Sequence, residues 1–123
     1  MSTTTSDIER ASIKVSDLAV LRGIKSLLSA KKRWCQGFSA VNSLGRSVDP
    51  GDVSACSWCL LGAIELTSII NGRSPYHITG LVAAGRDRRH INAGRSLDHI
   101  NDYYGLKAVR HTINTAIRRA RAA

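Results

Sequence analysis

Aromatic side chains are scarce in this chain. Its 123 residues include one Phe, two Trp and three Tyr, with a single Met and two Pro. Aliphatic packing must therefore carry most of the core, and at this length one core is expected rather than two. Acidic residues are also few, nine against 18 Lys plus Arg, for a formal charge of +9 and a pI near 10.2. No run approaches the ~20 apolar residues that span a bilayer. The polar start Met1-Ser2-Thr3-Thr4-Thr5-Ser6 is followed by no apolar stretch, so no secretory signal is expected. Three cysteines make an odd set, which argues against a disulfide framework and for a reducing compartment, with cytoplasm as the default.

Residues 1–14 show no structural period and read as a flexible polar arm ahead of a single helical domain over 15–123. Ser16 is a suitable N-cap for a helix whose Val20, Leu21, Ile24, Leu27 and Leu28 fall on one face. The stretch from Trp34 to Val41 loses that period. Asn42-Ser43-Leu44-Gly45 is turn-like, so a small hairpin is expected over 37–48, with an irregular loop as the alternative. A helix apolar nearly all round is expected over 52–71, ending at Asn71-Gly72. Within it Cys56, Cys59, Leu60, Ala63, Thr67 and Ile70 share one face, and Glu65 would need a partner if buried. Ser74-Pro75 opens the next helix, with Ile78, Leu81 and Val82 inward. Ser96 caps a short helix reaching Tyr104, and after Gly105 a last helix carries the seam Leu106, Val109, Ile113, Ile117 and Ala120. The expected class is mainly α, about five helices round a central apolar helix, or α+β if the hairpin is real.

Cys56-Ser57-Trp58-Cys59 is the most suggestive short motif. On a helix this spacing offers half a zinc site, with Cys35, His77, His90, His99 and His111 as candidates for the missing ligands, none of them paired at metal-ligand spacing. A redox role asks for the motif at a helix N-terminus after a strand. The favoured reading is core packing of both cysteines, without metal or cofactor. A nucleophile built on Cys35 or Cys59 with a histidine is a third-rank possibility. Asp98 and Asp102 are expected to meet nearby arginines, or Asp102 to cap the last helix, and Asn101-Asp102 to organise that junction. No phosphate-cradling glycine loop occurs, and no small-molecule substrate is evident.

Charge is better organised than catalysis. At ~100° per residue, Lys107, Arg110, Asn114, Arg118 and Arg121 fall within an arc of about 80° beside the apolar seam. A second cluster holds Arg86, Arg88, Arg89 and His90, and a third Lys31, Lys32 and Arg33. Arginine suits bidentate contact with phosphate, although cations also favour a helix C-terminus without any ligand. The leading expectation is a non-catalytic module whose Arg-rich face meets nucleic acid or a nucleoprotein. The alternative is an interaction or inhibitor domain recognising an acidic protein surface, and no membrane partner is expected.

Trp34-Cys35-Gln36-Gly37, Gly45, Trp58-Cys59-Leu60-Leu61-Gly62-Ala63-Ile64, Asn101-Asp102 and Ala116-Ile117 stand in an order that resembles an uncharacterised bacterial family, a domain of unknown function. Members typically carry Trp before the Asn-Asp pair, where this chain has Ile100. The resemblance implies one compact helical domain, and no activity, cofactor or catalytic residue.

Overall fold

Ser16 opens the first helix: its Oγ accepts from the Ala19 N–H at 3.1 Å. Helix α1 (Asp17–Leu27) follows in the computed structural model, which describes residues 15–123. The arm expected over 1–14 lies outside the described residues. Arg33, in a 3-10 turn over Lys31–Arg33, closes the helix by donating to the Leu27 carbonyl at 2.8 Å and the Ser26 carbonyl at 3.1 Å. A cation there also suits the negative end of the helix dipole.

The expected hairpin forms only in part. The chain turns at Asn42–Gly45, with Gly45 at φ 76°, and the returning Val48 N–H donates to Ala40 at 3.0 Å. The ladder itself joins β1 (Ala40–Asn42) to β2 (Ala55–Trp58), antiparallel, with Ala40 opposite Trp58. Residues 55–58 were expected to be helical. They extend because Asp52 first folds a turn, accepting from the Ser54 N–H at 2.8 Å and its hydroxyl at 2.6 Å. The Trp58 indole then donates to the Pro50 carbonyl at 2.9 Å. A short apolar run carries no period that separates strand from helix.

Helix α2 (Leu60–Ile70) therefore starts after Cys59, whose Sγ accepts from the Gly62 N–H at 3.3 Å as the N-cap. It is not enclosed on all sides. Glu65 faces solvent and needs no partner, while Ile69 and Ile70 are 62% and 71% exposed. Gly62 sits so close to the preceding loop that an added Cβ would lie 1.9 Å from the Ser39 carbonyl oxygen.

Helix α3 (Pro75–Ala84) buries Ile78 and Val82 as expected. Asp87 caps the short α4 (Arg88–Asn92), and Ser96 caps the single turn α5 (Leu97–His99). The chain then widens into a π turn over Ile100–Tyr104 before α6 (Gly105–Ala122). Gly105 takes φ 85° and ψ −178° at that join, a backbone region open essentially only to glycine. Helices α1 and α6 pack against each other, and α2 and α3 close the core from the other side.

Asn101, fully buried, ties these parts together. Its Oδ1 accepts from the Trp34 indole at 2.7 Å and from the Leu60 N–H, the first of α2, at 3.0 Å. Its Nδ2 donates to the Cys35 carbonyl at 3.1 Å and to Asp102 Oδ1 at 2.9 Å. Gln36 donates back to the carbonyls of Asn101 and Asp102, and the Gly37 N–H to Asp102 Oδ1. Asp98 and Asp102 form no ion pair with arginine among the described residues, and Asp102 caps this loop rather than the last helix.

Three substitutions test these contacts. Asn101→Leu, similar in volume, should lower unfolding free energy by about 3 kcal/mol or more in chemical denaturation, because buried donors and a carbonyl lose their partners. Gly62→Ala should cost about 3 kcal/mol or more, since backbone blocks the new methyl. Gly80→Ala, with no atom near its added Cβ, should instead gain roughly 0.5–1 kcal/mol.

Candidate polyanion-binding surface

Helix α6 divides along its length. Val109, Thr112, Ile113, Ala116 and Ile117 are buried, whereas Lys107, Arg110, Arg118 and Arg121 are exposed. The helix contains no Asp or Glu. Helix α1 runs antiparallel beside it. Arg110 donates to the Ser29 carbonyl, just past the end of α1, at 2.9 Å, while Ser16 and Leu18 share a hollow with Arg119 and Ala120. Lys25 and Arg110 line one narrow groove between the two helices. Asp17 is the single carboxylate on α1, and it is taken by the Arg73 guanidinium and by His77 at 3.2 Å. Hydrogen bonding to Arg73 holds the Asp17 carboxyl below its usual pKa. Asp17 lines the hollow that Arg119 borders, its charge already engaged by Arg73, and α1 and α6 carry no other carboxylate.

The second expected cluster separates. Arg86 is half-buried and occupied, donating to the Ala83 and Arg95 carbonyls at 2.7 Å each, so it serves the α3–α4 turn. Arg88 and Arg89 are exposed on α4. Arg89 lies with Lys107 around one cavity, which links α4 to the head of the α6 row. In the third cluster Lys31 and Lys32 are exposed, while Arg33 is spent on α1.

The cysteines are not a matched pair on a helix face. Cys56 is exposed on β2, and its Sγ lies 3.6 Å from the Val41 carbonyl. Cys59 is buried at the α2 N-cap, and Cys35 is half-buried beside it, its N–H donating to the Trp58 carbonyl. The shared apolar face expected for Cys56 and Cys59 is absent because the helix begins after both. A strand-to-helix setting is present, yet Cys35 and Cys59 are shifted away from the thiolate. Burial pushes Cys35 up to about 11 and raises Cys59 as well. A nucleophilic or redox thiolate needs the opposite shift. Among the described residues no three His, Cys, Asp or Glu side chains group to hold a metal ion.

Two residues that matter here were missed or undervalued from sequence. Asn101 was read as a local organiser, and its partners lie across the fold. His90 was grouped with its charged neighbours, although it is buried. A histidine with arginine on both sides of a glycine-flanked stretch gave no sign of that burial.

These features define a mainly helical, basic protein whose last helix carries a cationic, carboxylate-free face. Residues 13–122 match a family of unknown function, DUF6197, and the chain belongs to that family. Three of the five segments that carried the resemblance, Trp34 to Gly37, Trp58 to Ile64 and Asn101-Asp102, meet at the Asn101 junction. The indole at that junction comes from Trp34, and Ile100 is a buried core residue. No curated protein and no solved structure matches the chain. No helix among the described residues is long and apolar enough to cross a membrane.

Thiol labelling of the native protein at neutral pH should modify Cys56 quickly. Cys35 and Cys59 should react at least tenfold more slowly and catch up only on denaturation, as mass spectrometry of each peptide would record.

Proposed function

We propose that this protein is a non-catalytic module that binds nucleic acid, alone or within a nucleoprotein, through the α1–α6 face. Lys107, Arg110, Arg118 and Arg121 form the row, joined by Arg88 and Arg89 on α4. The observation that carries this reading is the exposed cationic arc of α6, on a helix without any carboxylate. From Lys107 to Arg121 the row spans about 21 Å at ~1.5 Å per residue, enough to follow several phosphates. The buried seam on the opposite side fixes the helix in the core, so the cations are presented on a rigid element. Contact is with phosphates, and sequence preference is weak, because the row offers charge and guanidinium forks with little aromatic surface to stack bases. Arg86 has no part in it.

Binding to duplex and single-stranded probes, followed by fluorescence anisotropy over a salt series, tests this. Four phosphate contacts should give a log–log slope of about −3.6 on duplex DNA. Arg110→Glu with Arg118→Glu should abolish binding and leave the circular dichroism spectrum unchanged. A wild-type protein that binds neither DNA nor RNA at low salt would remove this function and leave an acidic protein surface as the partner to seek.

A further inference from the structure

The cavity between α4 and the start of α6 has a volume of about 340 Å³ and is lined by Asp87, Arg89, His90, Tyr104, Lys107 and His111, among others. That volume is at the lower end of small-ligand sites. His90 is only 2% exposed, and its hydrogen bonding fixes its tautomer. Arg95 Nη1 lies 3.1 Å from His90 Nδ1. A guanidinium can only donate, so Nδ1 accepts and the ring proton sits on Nε2. Nε2 makes no hydrogen bond to protein among the described residues, and it is not among the fully enclosed unpartnered atoms, which are Ser68 Oγ and Asn114 Oδ1. Burial, with Arg89 and Arg95 nearby, lowers the His90 pKa and keeps the ring neutral.

The surroundings hold this donor still. Tyr104 packs edge-on against His90 with ring centroids 4.5 Å apart, and the Arg95 guanidinium lies 4.9 Å from the Tyr104 ring centre. The π turn and Gly105 bring Tyr104 and Lys107 to the same cavity. One carboxylate, Asp87, is present. It is engaged with the Arg89 N–H at 3.0 Å as the cap of α4, and the Arg89 Nε lies 3.8 Å away. The cavity is therefore bordered by a buried, neutral imidazole and two exposed cations, with one acid already engaged.

We propose that this cavity binds a phosphate monoester, with His90 Nε2–H donating to a phosphate oxygen and Arg89 and Lys107 balancing its charge. His111 borders the same space and completes the polar rim. Phosphate suits these groups because it offers several acceptor oxygens and a charge that one guanidinium and one ammonium can meet. The monoester could be a free small molecule or the terminal phosphate of a nucleic-acid strand. The site shares Arg89 and Lys107 with the nucleic-acid face but uses His90 and His111, which that face does not include, so the histidine-ring shifts with free phosphate and the His90→Asn variant separate the two.

Histidine-ring NMR at constant ionic strength tests it with inorganic phosphate, a nucleoside 5′-monophosphate, and one oligonucleotide with a 5′-phosphate or a 5′-hydroxyl. Phosphate at millimolar concentration should shift the His90 and His111 ring signals saturably. Arg89→Ala and Lys107→Ala should each weaken binding by roughly tenfold to a hundredfold, and Arg46→Ala, on the distant β1 turn, should leave it unchanged. His90→Asn keeps a polar group near Arg95 and removes the Nε2–H, so it should lose the site. If that variant unfolds, the Arg89 and Lys107 variants still decide. His90 and His111 shifts with the 5′-phosphorylated strand but not with its hydroxyl twin support the site and assign it to strand ends. Binding of free phosphates alone supports it and assigns it to small molecules. Absence of any saturable shift, or shifts untouched by Arg89→Ala and Lys107→Ala, would overturn it.

Discussion

A single buried carboxamide holds three distant stretches of this chain in register. Asn101 has one acceptor and one donor group, and its surroundings use both: indole and helix N–H on one side, loop carbonyl and carboxylate on the other. A Thr of similar size has a single O–H to donate, where Asn101 makes two N–H donations. An Asp could accept but not donate to the Cys35 carbonyl, and a Leu could do neither. The loop carrying Trp34 to Ser39 has almost no regular structure of its own, so its position depends on this residue. That loop in turn seats Gly62 and Cys59, and through them the start of α2.

The charge of the molecule has a similar division of labour. Some cations are structural: Arg33 closes α1, Arg73 grips Asp17 and the Val15 carbonyl, and Arg86 and Arg95 hold the α3–α4 turn and His90. They are the half-buried ones, and each ends on a carbonyl, a ring nitrogen or a carboxylate. The exposed set on α6 and α4 has few such ties, Arg110 to Ser29 and Arg118 to Thr115 among them. Composition alone merged these two populations. Their separation is what turns a general excess of charge into a face.

Amphipathic helices were legible in the sequence because their signal is a period that survives without knowledge of neighbours. The α1 face, the α6 seam, the Ser16 and Ser96 caps and the Pro75 start all lie where the residues placed them. The stretch from Asp52 to Cys59 was not legible, since four residues of strand carry too few alternations to compete with an apolar helix pattern. Its conformation is set by pairing with Ala40–Asn42, a partner that periodicity cannot see. For the site, the α6 arc was legible for the same reason as the seam. The occupied state of Arg86 and the burial of His90 were not, because both depend on the turn after α3 and on the π widening before α6.

The hydrogen bond between Trp34 and Asn101 spans 67 positions of sequence. A chain emerging from the ribosome N-terminus first therefore exposes its indole and the unpartnered N–H of Leu60 long before the residue that receives them exists. Until then the Trp34 loop has only its backbone ties to Trp58 and Cys59. Closing that contact carries the loop-closure cost of its sequence separation, and the α6 seam follows it later still. A truncated product ending before position 101 would lack the latch, and cellular quality control would meet it as an open chain.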